Sequence, residues 1–401
     1  MSERFVLVMA GGSGSRLWPA STPERPKHLL SPRPGTPTLL AATLDRARTW
    51  LGIDRIWVIT TADQRSSIIA AHPELPAAQI LAEPCGRNTA PAIAFALLQI
   101  REHLKKSEIS PEHAVVVALP ADHHISAPKA LESALDRASA HALEHQEIVT
   151  LGIEPSRPDT GYGYIERETQ AAAQATAQTT ANTTATANTT TQTTDAAPIY
   201  PVRRFVEKPD AALAERFVAS GRFLWNAGIF ILPIARTLAA FNSHAAPIMH
   251  TLKPVVDALT DGDAVALERA SLAAYAALEA APIDIALMEK LDDLWVLPVA
   301  LGWNDLGSWA AIHEISATDA RGNALLADDS GSVDAIDCDG NLLWSEGIEL
   351  VAIGIRDLAV IASDGKLLIC PLDRAQEVRK AARISADRSE SAEPPNSNSD
   401  H

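Results

Sequence analysis

Residues 6–21 read Val-Leu-Val-Met-Ala-Gly-Gly-Ser-Gly-Ser-Arg-Leu-Trp-Pro-Ala-Ser, an apolar run that enters a glycine-rich turn carrying one cation, Arg16. Four apolar residues in succession suit a strand buried on both faces, as in a parallel sheet. Gly11, Gly12 and Gly14 let the backbone bend sharply and approach a ligand closely. Successive bare N–H groups in such a turn make an anion-binding concavity, and Arg16 adds a permanent charge. A phosphate-bearing ligand is the first expectation, a nucleotide the second. The plainer alternative is a strand-to-helix turn with a surface arginine. The turn is not a P-loop, because no Gly-Lys-Ser/Thr follows, and Leu17 stands where a dinucleotide fingerprint needs its third glycine. The next segment, Glu24-Arg-Pro-Lys-His-Leu-Leu30, places Lys27 a short loop away. Two cations beside one glycine turn fit a polyphosphate.

The remaining charge balance sharpens that point. The 401-residue chain has a formal net charge of -16, which argues against a nucleic-acid surface, so a phosphate ligand needs cations concentrated locally. Cys85, Cys338 and Cys370 are widely spaced and odd in number, which suits neither a metal pattern nor a disulfide framework. A cytoplasmic location is expected, with no signal peptide, no membrane span and no membrane partner.

The first half alternates apolar runs with helical patterns. Strands are expected at Phe5–Met9, Arg55–Thr60, Gln79–Ala82, Ala114–Leu119 and Ile148–Leu151, with helices at Thr38–Trp50, Thr89–Leu104 and Ala130–Glu144. Such alternation predicts an α/β fold, a Rossmann-like mixed and mostly parallel sheet with helices on both faces, binding ligands at the carboxyl ends of its strands. Residues 171–194 contain only Ala, Thr, Gln and Asn and read as a disordered low-complexity insertion. Its flanks, Gly161–Glu166 and Tyr200–Glu207, look like paired strands. Beyond residue 320, short apolar runs at Val333–Ile336, Leu342–Trp344, Leu350–Ile353, Leu358–Ile361 and Leu367–Cys370 predict a small β domain, followed by a helix over Ala375–Ile384. The expected division is 1–320 catalytic, 321–384 β-rich and 385–401 a disordered tail.

Two carboxylates stand out. Asp122 leaves an apolar strand at its carboxyl end, and Asp305 lies in Trp303-Asn-Asp-Leu-Gly-Ser-Trp309. Either suits a hard cation that completes its shell with phosphate oxygens; a loop cap or a solvated charge is the plainer alternative for each. His123 and His124 lack the further spaced ligands that zinc needs. Glu83, Asn88 and Thr89 follow a predicted strand, and the last two open a helix, so capping and nucleotide binding both fit them.

These segments together resemble a known family. Gly11-Gly-Ser-Gly-Ser-Arg-Leu-Trp-Pro19 followed by Arg25-Pro-Lys27 looks like the signature of sugar-1-phosphate nucleotidyltransferases, and the Trp-Pro form is similar to its mannose-1-phosphate guanylyltransferase members. Glu83-Pro-Cys-Gly-Arg-Asn-Thr-Ala-Pro-Ala92, Leu119-Pro-Ala-Asp-His-His124, Gly161-Tyr-Gly-Tyr164, Phe205-Val-Glu-Lys-Pro209, Trp225-Asn-Ala-Gly-Ile229 and the Asp305 motif follow in the family's order. The resemblance implies GTP and mannose 1-phosphate as substrates, GDP-mannose and pyrophosphate as products, and Mg²⁺ as cofactor. It implies a nucleotide site at Ala10, Gly11, Gly12, Gly14, Ser15 and Arg16, continued by Glu83, Asn88, Thr89 and Asp122. It assigns Gly161, Tyr162, Glu207, Lys208 and Asn226 to the sugar phosphate, Asp122 and Asp305 to the metal, and catalysis to Arg16, Lys27, Asp122, Lys208 and Asp305. The β domain corresponds to a β-helix-like region, and the isomerase domain of longer relatives is expected to be absent. His28 departs from the usual glutamine. A homodimer is left open. Two other readings remain: a nucleotidyltransferase for another sugar or base, and a catalytically silent GDP-mannose-binding subunit.

Overall fold

The structure, a computed structural model, describes residues 2–12, 14–33, 35–168 and 197–392; the insertion expected at 171–194 lies outside them. The chain divides into two compact units. The first comprises Met1–Gly11, Leu44–Pro120 and Ile125–Trp303; the second comprises Gly12–Thr43, Ala121–His124 and Asn304–His401.

The first unit is built on β1 (Glu3–Met9), β2 (Ile56–Thr61), β3 (Ile80–Glu83), β4 (Ala114–Pro120), β6 (Ile148–Ile153), β7 (Tyr164–Arg167), β8 (Tyr200–Val206), β9 (Phe223–Pro233) and β10 (Leu294–Val299). Two short strands complete the numbering, β5 (His124–Ile125) after β4 and β11 (Trp303–Asn304) after β10. The sheet order is β3-β2-β1-β4-β9-β6-β10-β8-β7. Strands β1–β4, β6, β7 and β10 run one way and β8 and β9 the other, so the sheet is mixed and mostly parallel. The run Ala-Val-Val-Val-Ala-Leu of β4 is buried throughout, as a central strand covered on both faces requires. Val116 and Ala118 join the core with the helices Thr89–Lys106 and Ile234–His244. Val115 and Val117 point the other way, and the helix Pro128–His145 packs on that face. The flanks of the insertion pair antiparallel, Tyr164 opposite Val206, as strands of the main sheet.

In the second unit, β12 (Ala324–Ala327), β14 (Leu342–Ser345) and β16 (Leu358–Ser363) stack in parallel, as do β13 (Ser332–Ile336) and β15 (Glu349–Ile353). Eighteen residues separate Ala324 from its partner Leu342, and seventeen separate Leu342 from Ala359. Such coils form a short β-helix-like stack. It closes with β17 (Lys366–Pro371), antiparallel to β16 through a turn in which Asp364 and Gly365 both have positive φ, the geometry that suits Asp-Gly in a tight hairpin. The helix Val378–Ala392 runs past Ile384, with no proline to stop it before Pro394.

Asn323 and Asn341 are buried one above the other where the coils turn. Asn323 donates to the Cys338 carbonyl at 2.8 Å; Asn341 donates to Asn323 Oδ1 at 2.8 Å and the Ile355 carbonyl at 3.0 Å, and accepts from Leu358 N–H at 3.0 Å. A polar ladder satisfied in this way fixes the register of the coils. Each buried group stranded by truncation costs about 1–3 kcal/mol. Asn341→Ala should therefore lower stability in urea by at least about 3 kcal/mol, and a loss below about 1 kcal/mol would show that the ladder is not what holds the coils.

Candidate active site

The glycine turn, Lys27, Asp122 and Asp305 meet inside the second unit. Gly14 has φ 61°, and a Cβ there would lie 2.3 Å from Lys27 Cβ, so only glycine lets the turn rest on the lysine. Leu17 and Leu30 sink into a core with Trp309 and Trp344, and Trp309 Nε1 donates to the Trp18 carbonyl at 3.0 Å, which anchors the loop. Lys27 is only 8 % exposed. Its ammonium donates to Asp122 Oδ2 at 2.6 Å and to the backbone carbonyl of Asp305. The Asp305 carboxylate accepts from Gly307 N–H at 3.0 Å, and a Cβ at Gly307 would lie 2.6 Å from its Oδ2. Between these two residues Leu306 holds φ 48°, a strained value for a branched side chain.

Arg16, Lys27, Asp122 and Asp305 line one cavity of about 300 Å³, and so do Gly14 and Ser15. Arg16 makes no ion pair among the described residues. Burial raises the Asp122 carboxyl, but Lys27 and His123 outweigh it and keep it below the usual range. Burial drives His28 down to about 4, so the residue in the glutamine position is neutral near pH 7. The donor set of two carboxylates fits a hard cation that draws its remaining ligands from phosphate and water; among the described residues no group of three or more His, Cys, Asp or Glu gathers.

In the first unit a second cluster forms around Gly163. A Cβ there would lie 2.6 Å from Glu207 Oε2 and 3.4 Å from Asn226 Cβ. Glu207 pairs with Lys208, whose φ of 47° is again strained. Asn226 Nδ2 donates to Asp284 Oδ1 at 2.9 Å. Burial and the nearby Glu207 push Asp284 up to about 6. Tyr162 packs edge-on against Trp225 and Trp303, next to this cluster, and Gly161 N–H is held by Asp159 Oδ1 at 2.8 Å. Asp284 belongs to none of the motifs in the sequence; its one signal is a lone acid inside the apolar run Pro282-Ile-Asp-Ile-Ala-Leu287.

A third group lies at the end of β3. Glu83 is buried, its Oε1 has no hydrogen-bond partner among the described residues, and burial pushes its carboxyl up to about 7, with the nearby Tyr275 hydroxyl a smaller, opposing influence. Asn88 adopts φ 69° and ψ -176°, a region otherwise almost reserved for glycine, and its side chain caps the helix through Thr89 N–H at 2.8 Å. Thr89 Oγ1 accepts from Ile283 N–H at 2.8 Å, so this hydroxyl ties the helix start to the segment carrying Asp284. Ala10 and Gly11 follow β1, with Ala10 N–H bonded to the Ile59 carbonyl at 2.8 Å; Gly12 has φ 98° and opens the second unit.

The family model described as "Nucleotidyl transferase" matches residues 5–322, and one described as a "MannoseP isomerase/GMP-like beta-helix domain" matches 331–383. The chain is 34 % identical over 384 residues to the alginate biosynthesis protein AlgA of Pseudomonas aeruginosa, covering 94 % of this chain and 71 % of that one. It is 32 % identical over 391 residues to the mannose-1-phosphate guanylyltransferase of Escherichia coli K12, covering 96 % and 74 %. A crystal structure described as a mannose-1-phosphate geranyltransferase from Thermus thermophilus superposes with a TM-score of 0.77 at 29 % identity, covering 96 % of this chain and 99 % of the other.

Glu83 yields a test. Its folded carboxyl keeps a proton that the unfolded chain releases near 4.5, so its contribution to stability is full below 4.5 and is lost as pH rises through about 7. Glu83→Gln carries no such dependence. The melting temperature of the variant minus that of the parent should rise from pH 4.5 to 7 and then level. A difference flat across that range would place the Glu83 carboxyl in water.

Proposed function

The chain belongs to the nucleotidyl transferase family, and we propose that it transfers GMP from GTP to α-D-mannose 1-phosphate, giving GDP-mannose and pyrophosphate. The observation that carries this reading is the buried Lys27 ammonium, held between Asp122 and Asp305 beneath a glycine turn and on the same cavity as Arg16. The name of the Escherichia coli relative supports the sugar and the base. The matched ranges support a catalytic part up to about residue 320 and a β-helix-like part beyond it.

An oxygen of the sugar phosphate attacks the α-phosphorus of GTP in line, and the bond from that phosphorus to the bridging oxygen breaks as pyrophosphate leaves. No protein nucleophile is needed; the residues position substrates and cancel phosphate repulsion. In this reading Arg16 and Lys27 hold the triphosphate against the turn of Gly11, Gly12, Gly14 and Ser15. Lys208 takes the incoming phosphate, Glu207 accepts from sugar hydroxyls, and Gly161, Tyr162 and Asn226 shape the pocket. Glu83, Asn88 and Thr89 serve the guanosine. Asp122 and Asp305 would hold Mg²⁺, which when bound supplies positive charge to the phosphate oxygens. Three free cysteines support a reducing, cytosolic location, and no helix among the described residues is long and apolar enough to cross a membrane.

Pyrophosphate release across a matrix of nucleoside triphosphates and sugar 1-phosphates tests the reading. GTP with mannose 1-phosphate should give the highest kcat/KM; a different best pair reassigns the substrates, and binding of GDP-mannose without turnover on any pair makes the chain a silent subunit. Asp305→Asn should cut turnover by orders of magnitude with the fold retained, since its carbonyl still receives Lys27. Asp122→Asn should lose both turnover and stability, since it also removes the counter-charge of a buried ammonium. Either variant turning over normally at limiting magnesium would remove that residue from the metal. A charge-assisted phosphate contact is worth about 1.5–3 kcal/mol, so Lys208→Ala should raise KM for mannose 1-phosphate roughly ten- to a hundredfold with little change for GTP, and Arg16→Ala should do the reverse.

A further inference from the structure

We propose that Arg379, on the C-terminal helix, is a substrate-contacting residue that grips the diphosphate portion of the nucleotide and the pyrophosphate that leaves. The inference rests on the nucleotidyltransferase reading and extends it to a residue far from every motif that suggested it.

Arg379 lines the same cavity as Gly14, Arg16, Lys27, Asp122 and Asp305. The residue before it, Val378, is buried in one core with Leu17 and Trp309, so the helix start is fixed to the floor of the glycine turn. The neighbouring cations on this segment are neutralised: Arg374 and Lys380 both pair with Glu377 at 2.7 Å. Arg379 is exposed and makes no ion pair or hydrogen bond among the described residues. In a chain with 50 acidic residues against 34 basic ones, two arginines on one cavity without a carboxylate partner among the described residues is a specific arrangement.

The charges give it a purpose. Arg16 and Lys27 are balanced by Asp122 and Asp305, so without Arg379 the arginine, lysine and aspartate side chains on the cavity sum to zero. Arg379 makes the site cationic before any metal arrives. A guanidinium offers planar paired donors that match phosphate oxygens, which neither a base nor a sugar hydroxyl requires.

Inorganic pyrophosphate titrated calorimetrically into the full-length protein isolates this contact from sugar and base. Arg379→Ala should weaken pyrophosphate binding at least about tenfold, Arg379→Lys should restore part of the loss, and Lys380→Ala should leave binding unchanged. In turnover, Arg379→Ala should raise KM for GTP by a similar factor and leave KM for mannose 1-phosphate within about twofold. Melting temperatures of the two Arg379 variants should match the parent, because Arg379 makes no contact of this kind to lose; should the alanine variant unfold, Arg379→Gln supplies the same reading. Pyrophosphate binding by Arg379→Ala or Arg379→Gln within about twofold of the parent overturns the proposal, as does a parent protein that binds no pyrophosphate. If the parent binds pyrophosphate, the variant binds it weakly, and no nucleotide–sugar pair turns over, the Arg379 contact stands and the guanylyltransferase reading falls.

Discussion

The contact on which the candidate site depends is the ammonium of Lys27 buried between the Asp122 carboxylate and the Asp305 carbonyl. An ammonium taken from water without partners is prohibitive, and breaking a buried pair costs about 3–5 kcal/mol. The charge is tolerable here because both acceptors arrive together. They come from positions 95 and 278 residues further along, so one nitrogen fixes three separate segments of the second unit. The glycine turn depends on the same residue: Gly14 lies against Lys27 Cβ, and any side chain there would displace it. Position 28 faces the same constraint. A histidine fits beside this cation because burial keeps it neutral.

Eight non-glycine residues among those described have positive φ, and three of them belong to the candidate site; Glu108 and Gln146 follow the ends of helices. Asn88, Lys208 and Leu306 all have positive φ without being glycine, and each adjoins a group assigned to nucleotide, sugar phosphate or metal. The aspartates with positive φ at 337, 357 and 364 lie instead in turns of the β-helix-like stack, where Asp tolerates that region. A lysine and a leucine gain nothing locally from such angles. Strain of this kind persists where surrounding structure holds a residue in place. Lys208 is so held by Glu207, itself fixed through its N–H to Glu289 Oε1 at 2.9 Å.

What the sequence disclosed was local, and what it hid was pairing. Every expected strand of the first half is present within about two residues of its predicted bounds, because buried parallel strands are continuous apolar runs with clear turn residues after them. β9 escaped as a strand because Asn226 and Gly228 interrupt its apolar run; it also reverses the sheet, and nothing in Trp225-Asn-Ala-Gly-Ile announces a strand's direction. Asn323 and Asn341 form a buried ladder that the sequence does not announce, since a hydrogen bond across an eighteen-residue coil has no trace in either segment alone. Arg16, Lys27, Asp122 and Asp305 stand out in the sequence by their chemistry as well as by resemblance, whereas their meeting on one cavity required the fold. Asp284 and Arg379 had no motif to carry them.

The geometry around Asn226 constrains what the cluster around Gly163 can recognise. Its Oδ1 faces the Gly228 N–H at 3.0 Å and the Thr150 hydroxyl at 3.3 Å, and its Nδ2 donates to Asp284 at 2.9 Å. A flipped amide would set its NH₂ against the Gly228 N–H and its oxygen against the Asp284 carboxyl, so the orientation is fixed. The oxygen is committed within the protein, and one N–H remains. Glu207, when ionised, only accepts. A ligand at this cluster therefore meets one donor from Asn226 and acceptors from Glu207, a pairing that suits hydroxyl groups, which donate and accept at once. Asp284 makes that possible: it takes one Asn226 donor and so holds the amide in this orientation, and burial beside Glu207 is the cost of keeping it there.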